Sequence, residues 1–397
     1  MNNSPWFSQI SFKQRAWLFA TVTAMLVITV FGVLLSSSNK PKEPIDININ
    51  MSIRDIAPKL GITSKGLARE LELPIDISKK KPLNLLKITD EELHHAVEHI
   101  LSHHDSVLKY YIYTILVLFG LVFLTRLGRP DGANVKNRHE WYPRAPYIVS
   151  LLVSVVVAGF FLGKSPNPME GLVKVFKSMV GLYPDPVIKI IAFGFFIFLA
   201  VIGNKIICGW ACPFGALQEL IYSLPILKKI KQRKLPFILT NVIRAGLFLI
   251  MLFFLFGIIG GRKGFVIYHY INPFNLFNMD FESFSILLTV IIAIVVSFVI
   301  YRPFCQILCP FGFVSWIVER FSVFRVRIDK EKCTQCGVCI KACPLEAAKG
   351  KVEGKRLTAD CFSCARCLNV CPVDAIRYTS LMFKTPNPSE KGKKVTK

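Results

Sequence analysis

Long apolar runs separated by short polar or basic stretches set the rhythm of this chain. The first extends from Trp17 to about Leu35, and five more follow at roughly 110–125, 146–163, 187–206, 237–259 and 284–301. A helix of about 20 apolar residues crosses the hydrocarbon core of a bilayer, so the pattern predicts six transmembrane helices. The first run is long for the apolar part of a signal peptide and has no convincing cleavage site after it. Residues 36–108 are polar with helical signals. Within them Ile62-Thr63 with Leu67 and Leu71 is echoed by Ile88-Thr89 with Leu93 and Val97, a weak duplicate. Thr89 with Glu92 has the form of a capping box. The first copy, IRDIAPKLGITSKGLAREL, also has the look of a DNA-reading helix-turn-helix. The topology puts it outside the cytoplasm, so a small helical module is the reading adopted.

Charge orients these spans. The loop 126–145 carries Arg126, Arg129, Lys136, Arg138 and Arg144, and the loop 224–235 carries Lys228, Lys229, Lys231, Arg233 and Lys234. The opposite loops are poorer, with Lys164, Lys174 and Lys177 in one and Arg262 and Lys263 in the other. The positive-inside rule then puts both termini in the cytoplasm. The formal net charge of +23 is largely accounted for by these loops and the last residues, which argues against nucleic acid as a partner. A basic tail could instead dock an acidic redox protein.

The chemistry is carried by cysteine. Residues 333–344 read CTQCGVCIKACP and residues 361–372 read CFSCARCLNVCP, two copies of C-x2-C-x2-C-x3-C-P. Two-residue gaps let three thiolates of one loop converge, while the fourth, before proline, ligates the other cluster. One [4Fe–4S] cluster is then expected on Cys333, Cys336, Cys339 and Cys371, and a second on Cys361, Cys364, Cys367 and Cys343. Zinc sites also use C-x2-C hooks, but they rarely need the third cysteine or the C-P ending. Iron–sulfur ligands near the surface place this segment in a reducing compartment.

The other four of the 12 cysteines form two C-x3-C-P motifs, CGWACPFG with Cys208 and Cys212, and CQILCPFG with Cys305 and Cys309. They stand 97 residues apart, each just past a span. Parity puts all four at the cytoplasmic face, and a duplicated two-span unit with pseudo-twofold symmetry would bring the thiols together. A further cluster or metal, a redox-active dithiol pair beside a quinol site, and small residues at a helix end all remain open readings.

With both motif pairs on the page, residues 146–378 resemble the membrane-bound polyferredoxins of the NapH type, with relatives among NosR-type regulators and CcoG-type assembly factors. The resemblance implies electron transfer, commonly between the quinol pool and a respiratory reductase or its maturation system. The chain differs from these in showing no recognisable flavin-binding domain of the NosR type and no extra domain of the CcoG type. It has instead two additional N-terminal spans and the insert 36–108.

LHHAVEHILSHH puts His95, His99 and His103 at i, i+4 and i+8, one face of a helix, where an outer metal site could form. A solvated helix face is the plainer reading. MEGLVKVFKSMVGL is expected along the outer interface, and the aromatic loop IYHYINPFNLFNMDF forms either an interfacial belt or a quinol pocket.

The sequence thus predicts an α-helical integral membrane protein of six transmembrane helices with a small α+β two-cluster ferredoxin domain at the C-terminus. Its parts are a cytoplasmic N-terminus with the first helix (1–36), an extracytoplasmic helical module (37–108), a second helix with its basic loop (109–145), a four-helix core with both C-x3-C-P motifs (146–324), the ferredoxin domain (325–380) and a basic tail (381–397). The expected location is the bacterial inner membrane, with both termini and the clusters cytoplasmic. The expected function is electron transfer between quinol and a respiratory reductase or soluble redox partner. The alternative is an assembly or regulatory factor that reduces a metal or disulfide in another respiratory enzyme.

Overall fold

The computed structural model describes residues 47–59, 67–68, 71, 73, 81–86, 88–103, 107–127, 145–182, 186–224, 234–258, 265–279, 281, 283–355 and 358–380. The expected first span, the first copy of the weak duplicate from 60 to 66, much of the basic loop 126–145, most of the loop 224–235 and the tail from 381 lie outside these residues.

In the polar segment, α1 is Ile53–Lys59 and α2 is Asp90–His103. The capping box forms: the Thr89 amide donates to Glu92 Oε2 at 2.9 Å, and the Glu92 amide donates to Thr89 Oγ1 at 3.3 Å. These elements have their own small core of Ile53, Ile56, Leu67, Leu83 and Leu93.

Apolar helices follow. They are α3 (Val107–Leu127), α4 (Ala145–Phe161), α5 (Pro168–Met179) and α6 (Pro186–Gly203). After them come α7 (Pro213–Ser223), α8 (Phe237–Phe256) and α9 (Phe284–Ser297). Among the described residues three stretches are long and apolar enough to cross a membrane, Leu108–Thr125, Pro186–Gly203 and Phe237–Phe256, while Ala145–Phe161 and Phe284–Ser297 are shorter. The outward faces are apolar: Ile238, Val242, Phe284 and Val295 are all more than half exposed, as expected of surface that meets lipid rather than water.

Two of the expected outer elements pack on the bundle. The helix α5, expected to lie along the outer interface, packs its Leu172–Val173 side into the bundle, with Gly171 close against Phe196 of α6. Its start is fixed by Asn167, whose side chain accepts from the Glu170 amide at 2.9 Å, with Pro168 in the first turn. The aromatic loop is divided, with Tyr270 and Phe281 exposed and other rings turned inward. Tyr268, Phe274 and Phe277 are buried, and Phe274 packs on Phe214 of α7 with ring centroids 6.0 Å apart.

The larger surprise follows α6 and α9, where the chain turns back into the bundle. After Gly203 it climbs past Trp210, whose ring lies against Gly120 in α3, to Pro213, which touches the Gly159 position of α4. It then descends as α7. After α9 it climbs as α10 (Pro303–Ile307) and descends as α11 (Pro310–Val318).

The C-terminal part has two antiparallel strands, β1 (Phe324–Ile328) and β2 (Ile376–Ser380), in the register Phe324↔Ser380 to Ile328↔Ile376. Between them lie the short helices α12 (Val338–Ala342), α13 (Ala347–Val352) and α14 (Arg366–Val370). One apolar core runs from Tyr113 of α3 to Tyr378 of β2 without a break. The cysteine-rich part is therefore seated on the helical bundle rather than tethered to it.

Candidate functional site: two cysteine-lined cavities seated on paired re-entrant hairpins

Each C-x2-C-x2-C loop wraps because two of its residues take the left-handed conformation. These are Gln335 (φ 52°) and Gly337 (φ 74°) in the first loop, and Ser363 (φ 51°) and Ala365 (φ 66°) in the second. Such backbone turns successive N–H groups toward one concave side, where they favour negative charge. Proline completes each motif. It pushes the preceding residue out of the helical region, so Cys343 (φ −73°, ψ 122°) and Cys371 (φ −71°, ψ 114°) end α12 and α14 in extended geometry. The fourth thiol is thereby turned away from its own loop.

The result is two cavities. One, of about 530 Å3 with its mouth included, is lined by Cys343, Cys361, Cys364 and Cys367. The other, of about 330 Å3, is lined by Cys333, Cys336, Cys339 and Cys371. Each therefore gathers three thiols of one loop and the fourth thiol of the other. Among the described residues no three His, Cys, Asp or Glu side chains come close enough to hold a single metal ion. Burial pushes the Cys364 thiol up to about 11, and it raises Cys361 and Cys339 as well. Iron must therefore displace protons from these thiols, and loading falls as pH drops. The Ala375 amide donates to Cys371 Sγ at 3.2 Å, a bond of the kind that tunes cluster potential.

Gly337 has open space around it, so only backbone conformation resists a side chain there. Gly337→Ala is expected to cost about 1 kcal/mol, and Ala365→Gly in the twin loop to shift stability the other way. Thermal unfolding of the two variants checks the pair.

The Cys343–Cys361 cavity faces the bundle. Ser363 Oγ donates to the carbonyls of Gly203 and Asn204 at 3.1 and 3.0 Å, and Trp210 Nε1 donates to the Ser363 carbonyl at 3.0 Å. Asn204 Nδ2 holds the Cys361 carbonyl at 3.0 Å, and Tyr378 OH reaches the Gly203 carbonyl at 2.9 Å. Phe362 sits over two cations, 5.0 Å from Arg302 and 5.6 Å from Lys205. The other cavity faces away from the bundle, and its Cys336 is exposed.

Beneath Phe362 lies a network of buried charge that the sequence reading missed. Glu219 accepts from Arg302 Nε at 2.9 Å and pairs with Arg366 at 2.6 Å. Asp360, next to Cys361, pairs with Arg244 at 2.7 Å and with Lys205. Burial raises the Glu319 carboxyl to about 7, against the pull of Lys205 3.7 Å away. A signal was available, since a charge in or beside an apolar span is costly and rarely idle, and Arg244 and Glu219 are such residues. Arg366, next to Cys367 in sequence, has its charge offset by Glu219.

The two C-x3-C-P motifs repeat in geometry as in sequence. Cys212 N donates to the Ile207 carbonyl at 2.8 Å, and Cys309 N donates to the Phe304 carbonyl at 3.0 Å, the wide π-type turn at equivalent positions. Lys205 and Arg302, each three residues before the first cysteine, both have positive φ, 60° and 44°. Arg302 donates to the carbonyls of Cys208 and Gly209, and Arg244 donates to the Cys305 carbonyl at 3.3 Å. The Gly after each Cys-Pro-Phe is explained by close approach. A Cβ on Gly215 would lie 3.0 Å from the Cys208 carbonyl oxygen, and one on Gly312 2.8 Å from that of Cys305. The four thiols are spread along the hairpins: Cys208 stands next to Gly209, which abuts the Phe362 carbonyl on the ferredoxin side. Cys212 and Cys309 crown the hairpins, within electrostatic reach of Lys109 at the far end of α3 and of Tyr268 under the aromatic loop, respectively.

His95 is exposed on α2. The side chains of His99 and His103 lie outside the described residues, although both positions are in the helix.

Comparison with known proteins agrees with this architecture. A family described as a 4Fe-4S binding domain matches residues 186–234, and two described as 4Fe-4S dicluster domains match 326–378 and 303–347. An uncharacterized protein of Methanocaldococcus jannaschii is 27% identical over 54% of this chain and 77% of its own length. The ferredoxin-type protein NapH of Haemophilus influenzae is 29% identical over 45% of this chain and 63% of its own. The methylamine utilization ferredoxin-type protein MauN of Paracoccus denitrificans is 27% identical over 42% of this chain and 59% of its own. The chain thus spans about 60% of the two ferredoxin-type relatives. No solved structure matches it.

Apolar helices joined to a dicluster domain define a membrane protein that carries two 4Fe–4S clusters. Within that class the chain is distantly similar to the ferredoxin-type membrane proteins of the NapH, NosR and MauN kind.

Proposed function

We propose that this chain is a six-span protein of the bacterial inner membrane that moves single electrons between the quinol pool and a respiratory reductase or soluble redox partner. In this reading Cys333, Cys336, Cys339 and Cys371 hold one cluster and Cys361, Cys364, Cys367 and Cys343 the other. Both termini then lie in the cytoplasm. A bound cube takes up and releases one electron at a time. The observation that carries the proposal is the pair of cavities, each lined by its own crossed set of four cysteines. The chain's own residues do the rest. Phe362, Tyr301, Val326 and Ile376 help to shield the inner cavity, while the exposed Cys336 side offers the outer one to a soluble partner.

The test is an anaerobic EPR spectrum of the purified protein, reduced in parallel by a quinol and by dithionite. Cluster signals with both reductants are expected, and Cys367→Ser should abolish one cluster's contribution while the other persists. Signals with dithionite alone would remove the quinol link. An iron-free protein with no signal would sink the whole reading.

A further inference from the structure

The two cavities that gather the crossed cysteine sets differ in what else lines them. Arg366, Lys351 and Asp360 are in the wall of the inner cavity, the one that faces the bundle. Among the described residues no charged side chain lines the outer one, which has Thr334, Gln335, Pro372 and Val373 beside its cysteines. We propose that the buried charge around the inner cavity makes its cluster the higher-potential member of the pair, so that a single electron on this domain rests against the helices. This deepens the two-cluster reading above, rests on it, and adds an order to it.

Three observations carry the proposal. The first is an excess of buried positive charge. Lys205, Arg244, Arg302 and Arg366 meet Glu219, Asp360 and Glu319, four cations against three carboxylates, each less than a tenth exposed. Glu219 joins Arg302 to Arg366, Asp360 joins Arg244 to Lys205, and Glu319 lies 3.7 Å from Lys205. Half-buried Lys351 adds a further positive charge on the cavity wall, with its Nζ donating to the Val326 carbonyl at 3.2 Å. Unbalanced charge in an apolar interior is costly. A cube held by four thiolates is anionic, and more so once reduced. Such a group in the inner cavity offsets the excess.

The second is an unused donor. Arg366 is 4% exposed, and its Nε and Nη1 have no hydrogen-bond partner among the described residues. Its Nη2 is engaged, by Glu219 at 2.6 Å and by Ser223 Oγ at 3.4 Å. A buried donor without an acceptor is destabilising. A guanidinium with idle N–H groups on a cavity wall therefore suits a negatively charged occupant of that cavity.

The third is the contrast in solvent. Cys336 of the outer set is exposed, and so are Lys332 and Lys341, which flank Cys333 to Cys339 in sequence. Water and salt screen such surface charges, whereas the inner ones act through a poorly screening interior. Two effects oppose the proposed order. Burial disfavours an added negative charge at the inner site, and the Ala375 amide, 3.2 Å from Cys371 Sγ, favours one at the outer site. The fixed cations outweigh both, because whole charges in excess meet the burial penalty and exceed one neutral donor. In the exchange this orders, one electron passes from the outer site to the inner. The outer cluster is oxidised by one and the inner reduced by one, with no bond made or broken.

The test is an anaerobic redox titration of the full-length protein, followed by EPR. The signal that Cys367→Ser removes belongs to the inner cluster, and it should appear first as the potential is lowered. Arg366→Gln is expected to shift that one-electron equilibrium by about tenfold toward the oxidised form, or about 59 mV. Lys351→Gln should shift it the same way, and Arg366→Lys, which keeps the charge, should stay near wild type. The outer signal should hold its potential in all three. Lys351 lies outside the Arg302–Glu219–Arg366 triad, so its variant keeps the test decisive should Arg366→Gln fail to fold. An inner signal that appears second, or together with the outer one, would overturn the proposal. So would an inner potential that neither substitution moves. A wild-type protein with one cluster signal in place of two would instead sink the two-cluster reading, and the proposal with it.

Discussion

Glu219→Gln is expected to destabilise the protein by about 3–5 kcal/mol, the usual consequence of leaving buried charge without its partner. Glu219 is fully buried between Arg302 and Arg366. Each guanidinium also has work to do. Arg302 holds the turn at Cys208 and Gly209 and underlies Phe362, while Arg366 lies against Tyr301 at 5.3 Å and Tyr222 at 5.7 Å. An amide in place of the carboxylate leaves two cations facing each other in an apolar setting. Thermal unfolding in detergent is the measurement, with Glu353→Gln as the control. Glu353 pairs with Lys355 at the exposed surface, where such pairs contribute little, and no measurable change is expected. Replacing Glu219, Arg302 and Arg366 together by apolar residues of similar size should recover part of the loss, because the triad's cost lies in desolvation. A Glu219→Gln protein as stable as wild type would show that the guanidiniums do not depend on that carboxylate.

Gly209→Ala is expected to lift the second cysteine loop off the bundle. A methyl at this position would overlap the Phe362 carbonyl oxygen, a backbone atom that cannot rotate away. Forcing the gap open breaks the bonds that Asn204, Trp210 and Ser363 make across it. Overpacking against backbone costs on the order of 2 kcal/mol or more. Hydrogen exchange at residues 358–370 should rise, and reduction of the clusters by quinol should slow several-fold while dithionite still reduces them. Gly246→Ala, where a methyl meets open space, should leave both readouts unchanged. Unaltered exchange in Gly209→Ala would mean that the contact is not what seats the loop.

Much of this was legible in the chain because the signals are local. Eight cysteines at fixed spacing, each run closed by proline, specify their own turns, and Thr89 with Glu92 specifies its own helix start. The apolar runs became apolar helices for the same reason: length and composition suffice. Other features depended on partners distant in sequence. Arg244 lies inside an apolar span, and its counter-charge, Asp360, stands 116 positions on. The last Gly of CGWACPFG and CQILCPFG read as repetition, and its cause is a carbonyl seven residues back that no side chain could approach so closely.

The sequence by itself determined that this protein has apolar helices and carries two 4Fe–4S clusters, since ligand spacing and hydropathy act over a few residues. Only the tertiary structure decided where the remaining cysteines go. Cys208 to Ser223 and Cys305 to Val318 fold back into the bundle, because half-length helices there can bury their ends against the aromatic loop above and the paired charges below.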